Sequence, residues 1–191
     1  MLTVTTIVGN VKNNLDLKKK YEESLKKNTL ETITIQRSET EKVRMRKVSD
    51  KGTDVGFILP SRTHLRDGDV AFLDDTRMII IKLSPELVAI LNIRENVHPR
   101  SDDDEDSSGT EHRHRHRHHP DLTNVAIKVG HTIGNLHRPL KIDKDDIIFP
   151  IQTPDEINLF LRLLSDLKNH IEIRTETLIF EPDQGFDVHA H

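Results

Sequence analysis

Pro99-Arg100-Ser101-Asp102-Asp103-Asp104-Glu105-Asp106-Ser107-Ser108-Gly109-Thr110-Glu111-His112-Arg113-His114-Arg115-His116-Arg117-His118-His119-Pro120 decides how this chain is organised. The stretch has almost no apolar side chain. An acidic block comes first, then a Ser-Ser-Gly joint, then a run of alternating histidine and arginine. A segment of this kind cannot bury enough surface to offset the entropy of ordering it, so it reads as a disordered insert. The hydrophobic pattern differs on its two sides. The expected plan is a β-rich domain over 1–97, the acidic and histidine-rich insert over 98–120, a second domain over 121–182 and a flexible tail over 183–191.

The region before the insert reads as strands. Leu2–Val8 is rich in β-branched residues, and Thr32–Ile35 and Val43–Val48 alternate. Val55–Leu59, Asp69–Leu73, Met78–Leu83 and Leu87–Leu91 follow, separated by turn signals at Lys51-Gly52, Pro60-Ser61, Asp67-Gly68 and Asp74-Asp75. Many short strands at close spacing predict a small all-β, sandwich- or barrel-like domain. The Lys/Glu-rich stretch Asp16–Lys27 reads as an exposed helix or loop rather than core.

The region after the insert changes period. Asp121 suits a helix N-cap, and Leu122, Val125, Ala126, Val129 and Ile133 recur at helical spacing up to a stop at Gly134-Asn135. Strands are expected at Pro139–Ile142 and Ile147–Phe149. Thr153, Pro154 and Glu156 then mark a second helix start with a capping box, and Ile157, Phe160, Leu161, Leu164 and Leu167 form its apolar face. Ile171–Arg174 and Thr177–Phe180 read as closing strands. With one more strand before the insert or at the end, this order suits a ferredoxin-like βαββαβ arrangement, so the whole chain is read as α+β.

Composition narrows the chemistry. The chain has 191 residues, a net charge of -4 and no cysteine. Disulfides, thiolate metal sites and cysteine nucleophiles are therefore excluded, and any metal must be held by nitrogen and oxygen. No global field draws the protein to nucleic acid or to anionic lipid. No apolar run has the length of a membrane span, and Met1–Asn14 lacks the basic head of a secretory signal. A soluble, cytoplasmic protein is expected.

Five histidines, His112, His114, His116, His118 and His119, lie within eight residues. An ordinary imidazole, with a pKa of about 6.5, is mostly neutral at pH 7 and ready to bind a borderline transition metal. In an extended chain alternate residues share a face at a spacing of roughly 7 Å, so the histidines and arginines separate to opposite sides. A metal-gathering strip is the first reading. A solvated linker is the bland one. An RNA-binding strip is opposed by the adjoining acidic block and by the lack of a stacking platform. His189 and His191 form a second His-x-His pair. Ni(II), Zn(II) and Cu(II) all accept such ligands, Cu(II) most tightly in vitro. His64 lies in a turn pattern, His98 before a proline and His170 near a helix C-terminus; none of them reads as a ligand.

His137 follows the first helix stop, in Gly134-Asn135-Leu136-His137-Arg138-Pro139. Read alone, it suits an exposed histidine held by backbone hydrogen bonds. The stretch Val129–Ile142, however, resembles the Gly-Asn-Arg-His-x-Pro-x-x-Ile signature of UreE-type urease accessory proteins. Leu59-Pro60 followed by Leu65-Arg66-Asp67-Gly68-Asp69 is similar to that family's "LP-x-x-x-x-LRDGD" pattern, and Glu181-Pro182 to its ending. The likeness runs from about Ile33 to Pro182 and leaves out the insert.

The resemblance implies a nickel metallochaperone rather than an enzyme, with no catalytic residue. It implies a homodimer of a β-rich, peptide-binding-type domain and a ferredoxin-like metal-binding domain. His137 from each copy would hold one Ni(II) between them, for delivery through the urease accessory GTPase to the apo-urease complex. Three positions depart from the pattern. Leu136 replaces the motif arginine. Thr132, with His131 beside it, stands where a histidine is often found. Ile151-Gln152-Thr153 replaces an extra His-x-His pair. The insert is expected to do the gathering work of the family's histidine tail, since a flexible linker of this length spans ~25 Å. The alternatives are a histidine-rich metal buffer with no delivery role, and a hydrolase using His131 and His137, for which a third ligand is lacking.

Overall fold

The computed structural model describes residues 1–94 and 122–183. The expected insert histidines His112, His114, His116, His118 and His119, the N-cap Asp121, and the tail histidines His189 and His191 lie outside the described residues. Two compact units divide the chain, Met1–Glu86 with Leu178–Glu181, and Leu87–Thr177 with Pro182–His191.

The first unit contains β1 (Leu2–Val4), β2 (Gly9–Asn10), α1 (Leu15–Lys26), β3 (Leu30–Ile35), β4 (Arg44–Val48), β5 (Asp54–Ile58), β6 (Asp69–Leu73) and β7 (Met78–Leu83). One sheet has the order β1-β5-β4, the other β2-β6-β7-β3. Both supply one apolar core, with Val4, Val55 and Phe57 from the first sheet and Ile33, Ile35, Ile79 and Ile81 from the second. The run Met78-Ile79-Ile80-Ile81 is apolar on both faces and needs cover on both. Helix α1 provides it: Leu17 is buried with Val70, Met78 and Ile80. The all-β expectation for this region is corrected accordingly. Asn14 starts the helix by accepting the N–H groups of Asp16 and Leu17.

The strand expected over Leu2–Val8 ends at Val4, and a second short strand begins at Gly9. β1 runs parallel to β5, while β2 pairs with β6 in the other sheet. The crossing passes Gly9, where a Cβ would meet Leu17 Cδ1 at 2.7 Å.

The Leu65–Asp69 motif has a structural job in this unit. Asp69 Oδ1 accepts from Asn10 Nδ2 at 2.8 Å, and Oδ2 accepts from the Arg66 N–H at 2.8 Å. Asp67 Oδ1 accepts from the Leu83 N–H at 3.0 Å, and Oδ2 meets Lys12 Nζ at 3.0 Å. The Asp67 N–H donates to Glu181 Oε1 at 2.8 Å, which fastens the returning segment 178–181. Phe180 is buried there, beneath the Arg37 guanidinium. Gly68 sits between the two aspartates at φ +86, and a Cβ would crowd Val11 at 3.1 Å.

Two other acids of this unit are held charged. At Glu31, burial raises the pKa, but hydrogen bonds from Ser49 and Thr53 and the Arg77 charge outweigh it and leave the pKa lowered. Glu39 is lowered to about 2, first by its hydrogen bond from Lys47 and then by the Gln36 N–H.

The second unit contains β8 (Glu86–Ile93), α2 (Leu122–Asn135), β9 (Lys141–Asp143), β10 (Asp146–Pro150), α3 (Glu156–Leu163) and β11 (Ile171–Leu178). The sheet order is β11-β8-β10-β9, with β10 antiparallel to both β8 and β9. Ala89, Leu91, Val125, Val129, Ile133, Phe149, Phe160, Leu164 and Ile171 make its core. Phe149 and Phe160 touch with ring centroids 4.6 Å apart. β8, read from sequence as the last strand of the first region, pairs with β10 here. The two closing strands expected over 171–180 are one, because Thr175 and Glu176 carry no breaker. The capping box of α3 is half formed: Glu156 Oε1 accepts the N–H groups of Gln152 and Thr153, and a turn over 153–155 precedes the helix.

Asp69→Ala should strand two donors in a buried place and lower stability by about 2 kcal/mol, read from urea denaturation. Glu39 stabilises fully above its ordinary value of 4.5 and loses that contribution as pH falls toward about 2. Glu39→Gln should therefore be less stable than the parent at neutral pH, with the difference closing as the pH approaches 2.

Candidate functional site

Helix α2 buries Val125, Val129 and Ile133 and turns the opposite face to solvent. The helix ends at Asn135, at the stop expected from Gly134-Asn135, although neither of these is the left-handed residue. Two hydrogen bonds end the helix. The His137 N–H donates to the Gly134 carbonyl at 2.9 Å, and the Arg138 N–H to the Ile133 carbonyl at 3.4 Å. This pair of overlapping bonds is the Schellman ending, which needs a left-handed residue just past the helix. That residue is His137, at φ 50. Glycine is the usual occupant, and an L side chain there costs roughly 1–2 kcal/mol. The imidazole is exposed.

The residues on either side hold the His137 backbone in place. Leu136, at the position of the motif arginine, is partly buried against the core of the second unit. Arg138 Nη2 pairs with Glu156 Oε2 at 2.6 Å, and Nη1 donates to the Pro150 carbonyl at 3.3 Å. The other oxygen of Glu156 holds the Gln152 and Thr153 N–H groups. Arg138 thus ties the turn carrying His137 to the entry of α3. The sequence reading gave neither Arg138 nor Glu156 a role at the site. The basic residue directly after the histidine was the available signal, and its partner lies eighteen residues away.

One turn before the helix end, His131 Nε2 lies 2.9 Å from Asn135 Nδ2, an i,i+4 contact on the exposed face. His64 Nδ1 is 3.5 Å from Glu41 Oε1. The His170 carbonyl accepts the Arg94 N–H at 2.8 Å. Among the described residues no three His, Asp or Glu side chains converge as a metal site. Of the expected ligands, His137 is the one described, and it offers one exposed imidazole per chain.

His137→Gly and His137→Ala both delete the ring, but only glycine relieves the left-handed backbone. The glycine variant should be the more stable of the two by about 1 kcal/mol in urea denaturation. Equal stabilities would remove the strain argument.

Residues 4–84 match the family model described as UreE urease accessory protein, N-terminal domain. That span holds the whole Leu65–Asp69 motif. Over 159 residues the chain is 24% identical to the urease accessory protein UreE of Edwardsiella ictaluri, covering 82% of this chain and 61% of that protein. It is 24% identical over 157 residues to the UreE of Natronomonas pharaonis, covering 82% of this chain and 63% of the relative. It is 26% identical over 153 residues to the UreE of Yersinia enterocolitica, covering 79% and 57% respectively. The chain thus spans about three-fifths of the length of these curated relatives. Residues 4–84 are similar to a UreE N-terminal domain, and the chain is similar to urease accessory proteins UreE.

Proposed function

We propose that this protein is a nickel metallochaperone, carrying Ni(II) as cargo for urease maturation. The observation that carries the reading is His137, an exposed imidazole in a backbone position that favours glycine. Strain of this kind persists where the surroundings over-determine it and clusters at functional sites. One nitrogen per chain does not hold an ion firmly. A two-fold homodimer that brings His137 of each copy together doubles the donor set without any new residue. Nitrogen ligands without thiolate suit a cargo that must also be released.

The element order β8-α2-β9-β10-α3-β11 and the sheet order β11-β8-β10-β9 support a ferredoxin-like reading of the metal-binding unit. The relatives are named accessory proteins, which supports a carrier role rather than catalysis. His112, His114, His116, His118 and His119, with His189 and His191, would gather metal and pass it to the His137 pair. The urease accessory GTPase and the apo-urease complex would receive it. Zn(II) and Cu(II) would compete in vitro. No helix among the described residues is long and apolar enough to cross a membrane. The proposed place of work is the cytoplasm.

Titration calorimetry with Ni(II) tests this reading. The parent should show a tight phase at one ion per two chains. His137→Ala should lose that phase, whereas deletion of Glu111–His119 should lower total stoichiometry and spare it. An unchanged tight phase in His137→Ala would sink the assignment. Mixing nickel-loaded protein with the accessory GTPase separates delivery from mere buffering: a carrier hands the ion over, a buffer keeps it.

A further inference from the structure

Strand β4 ends the sheet β1-β5-β4, so one side of it pairs with nothing in that sheet. Its register with β5 runs from Arg44↔Ile58 to Val48↔Asp54. Two bonds continue the ladder at its ends, Leu59 N–H to the Val43 carbonyl at 2.7 Å and Ser49 N–H to the Thr53 carbonyl at 2.9 Å. Antiparallel pairs alternate between bonded and unbonded residues. Met45 and Lys47 therefore bond to β5. The N–H and C=O groups of Arg44, Arg46 and Val48 point away from the sheet. Among the described residues no turn, loop or side-chain hydrogen bond engages those three N–H groups.

The side chains along this edge carry a pattern. Arg44, Arg46 and Val48 share the exposed face, Val48 being 62% exposed. Arg46 is clamped across the hairpin to Asp54 at 2.8 and 3.0 Å, whereas Arg44 makes no ion pair among the described residues. On the opposite face Met45 packs against the main core of the unit. A strand added here would set every second residue beside the arginines and the residues between them beside Met45.

We propose that β4 is a docking edge that takes on one further strand, an extended segment of a partner protein in which acidic and apolar residues alternate. The acids would lie opposite Arg44 and Arg46, and the apolar residues would cover Met45. Backbone hydrogen bonds give such an added strand its hold, and alternate side chains give it selectivity. A second copy of this chain fits poorly: antiparallel pairing centred on Arg46 opposes Arg46 to Arg46, and like charges directly opposite are destabilising. The proposal does not depend on nickel binding.

Fluorescence polarisation on the full chain tests it, with a labelled peptide of alternating valine and glutamate as probe and one of alternating valine and lysine as control. The acidic peptide should bind saturably and the basic one should not. Arg44→Glu with Arg46→Glu should weaken binding by about tenfold or more. Arg46→Pro removes an outward N–H that β5 does not use and should weaken binding while the fold survives. In amide hydrogen exchange by NMR on the parent, the N–H groups of Arg44, Arg46 and Val48 should exchange fast when free and slow down with peptide. This last measurement stands even where a variant misfolds. Equal binding of both peptides, no binding of the acidic one, or exchange at those three amides unchanged by peptide would overturn the proposal.

Discussion

Helix α2 can hand the chain to β9 only if residue 137 takes a left-handed backbone, and a histidine rather than a glycine meets that demand. This constraint fixes where the imidazole stands. Leu136 is drawn toward the core on one side, and Arg138 is tied to Glu156 on the other. The base of the ring is thus held by two different kinds of interaction while its tip remains in water. A braced base with an open tip is what the proposed nickel site would need in order to meet an ion in a defined geometry and still let it go.

Several acids of the described structure serve the fold. Asp67 and Asp69 gather backbone N–H groups around a tight turn, Glu31 and Glu39 answer cations and hydroxyls, and Glu156 secures the start of α3. The carboxylate pKa shifts resolved among the described residues are downward, each with a hydrogen-bond donor or cation as the lowering cause. A general acid at neutral pH needs the opposite, a carboxyl whose proton is retained. These groups are committed to structure.

Helical period and capping residues made α2 and α3 legible, and β-branched runs located most strands, whereas α1 read only as an exposed helix or loop. Partnership was harder to read. The apolar run 87–91 announces burial, yet nothing local says which sheet it joins. Leu17 sits in a stretch so rich in lysine and glutamate that its burial under β7 is invisible until both faces of Met78–Ile81 are seen to need cover. Gly134-Asn135 reads as the end of α2 because propensity places glycine there, and the helix does end at Asn135. The left-handed residue came at His137, where propensity argues against it. His137 itself was found through the motif around it, whereas its support by Glu156 depends on a contact eighteen residues away. The Leu65–Asp69 motif was recognisable as a pattern, and its physical meaning, a turn cross-braced to Asn10, Lys12 and Glu181, emerged only in three dimensions.

Residues 178–181 belong to the first unit although some ninety residues of the second precede them. Chain leaving the ribosome therefore cannot seat Phe180 or engage the Asp67 N–H through Glu181 until the intervening unit has been made. At roughly 5–20 residues per second that interval is on the order of 5–20 s. During it, the earlier half must persist without Phe180 and Glu181 in place. Nascent protein is thus exposed longest at the end of the fold that is synthesised first, and this is where a holding chaperone or a protease would find it.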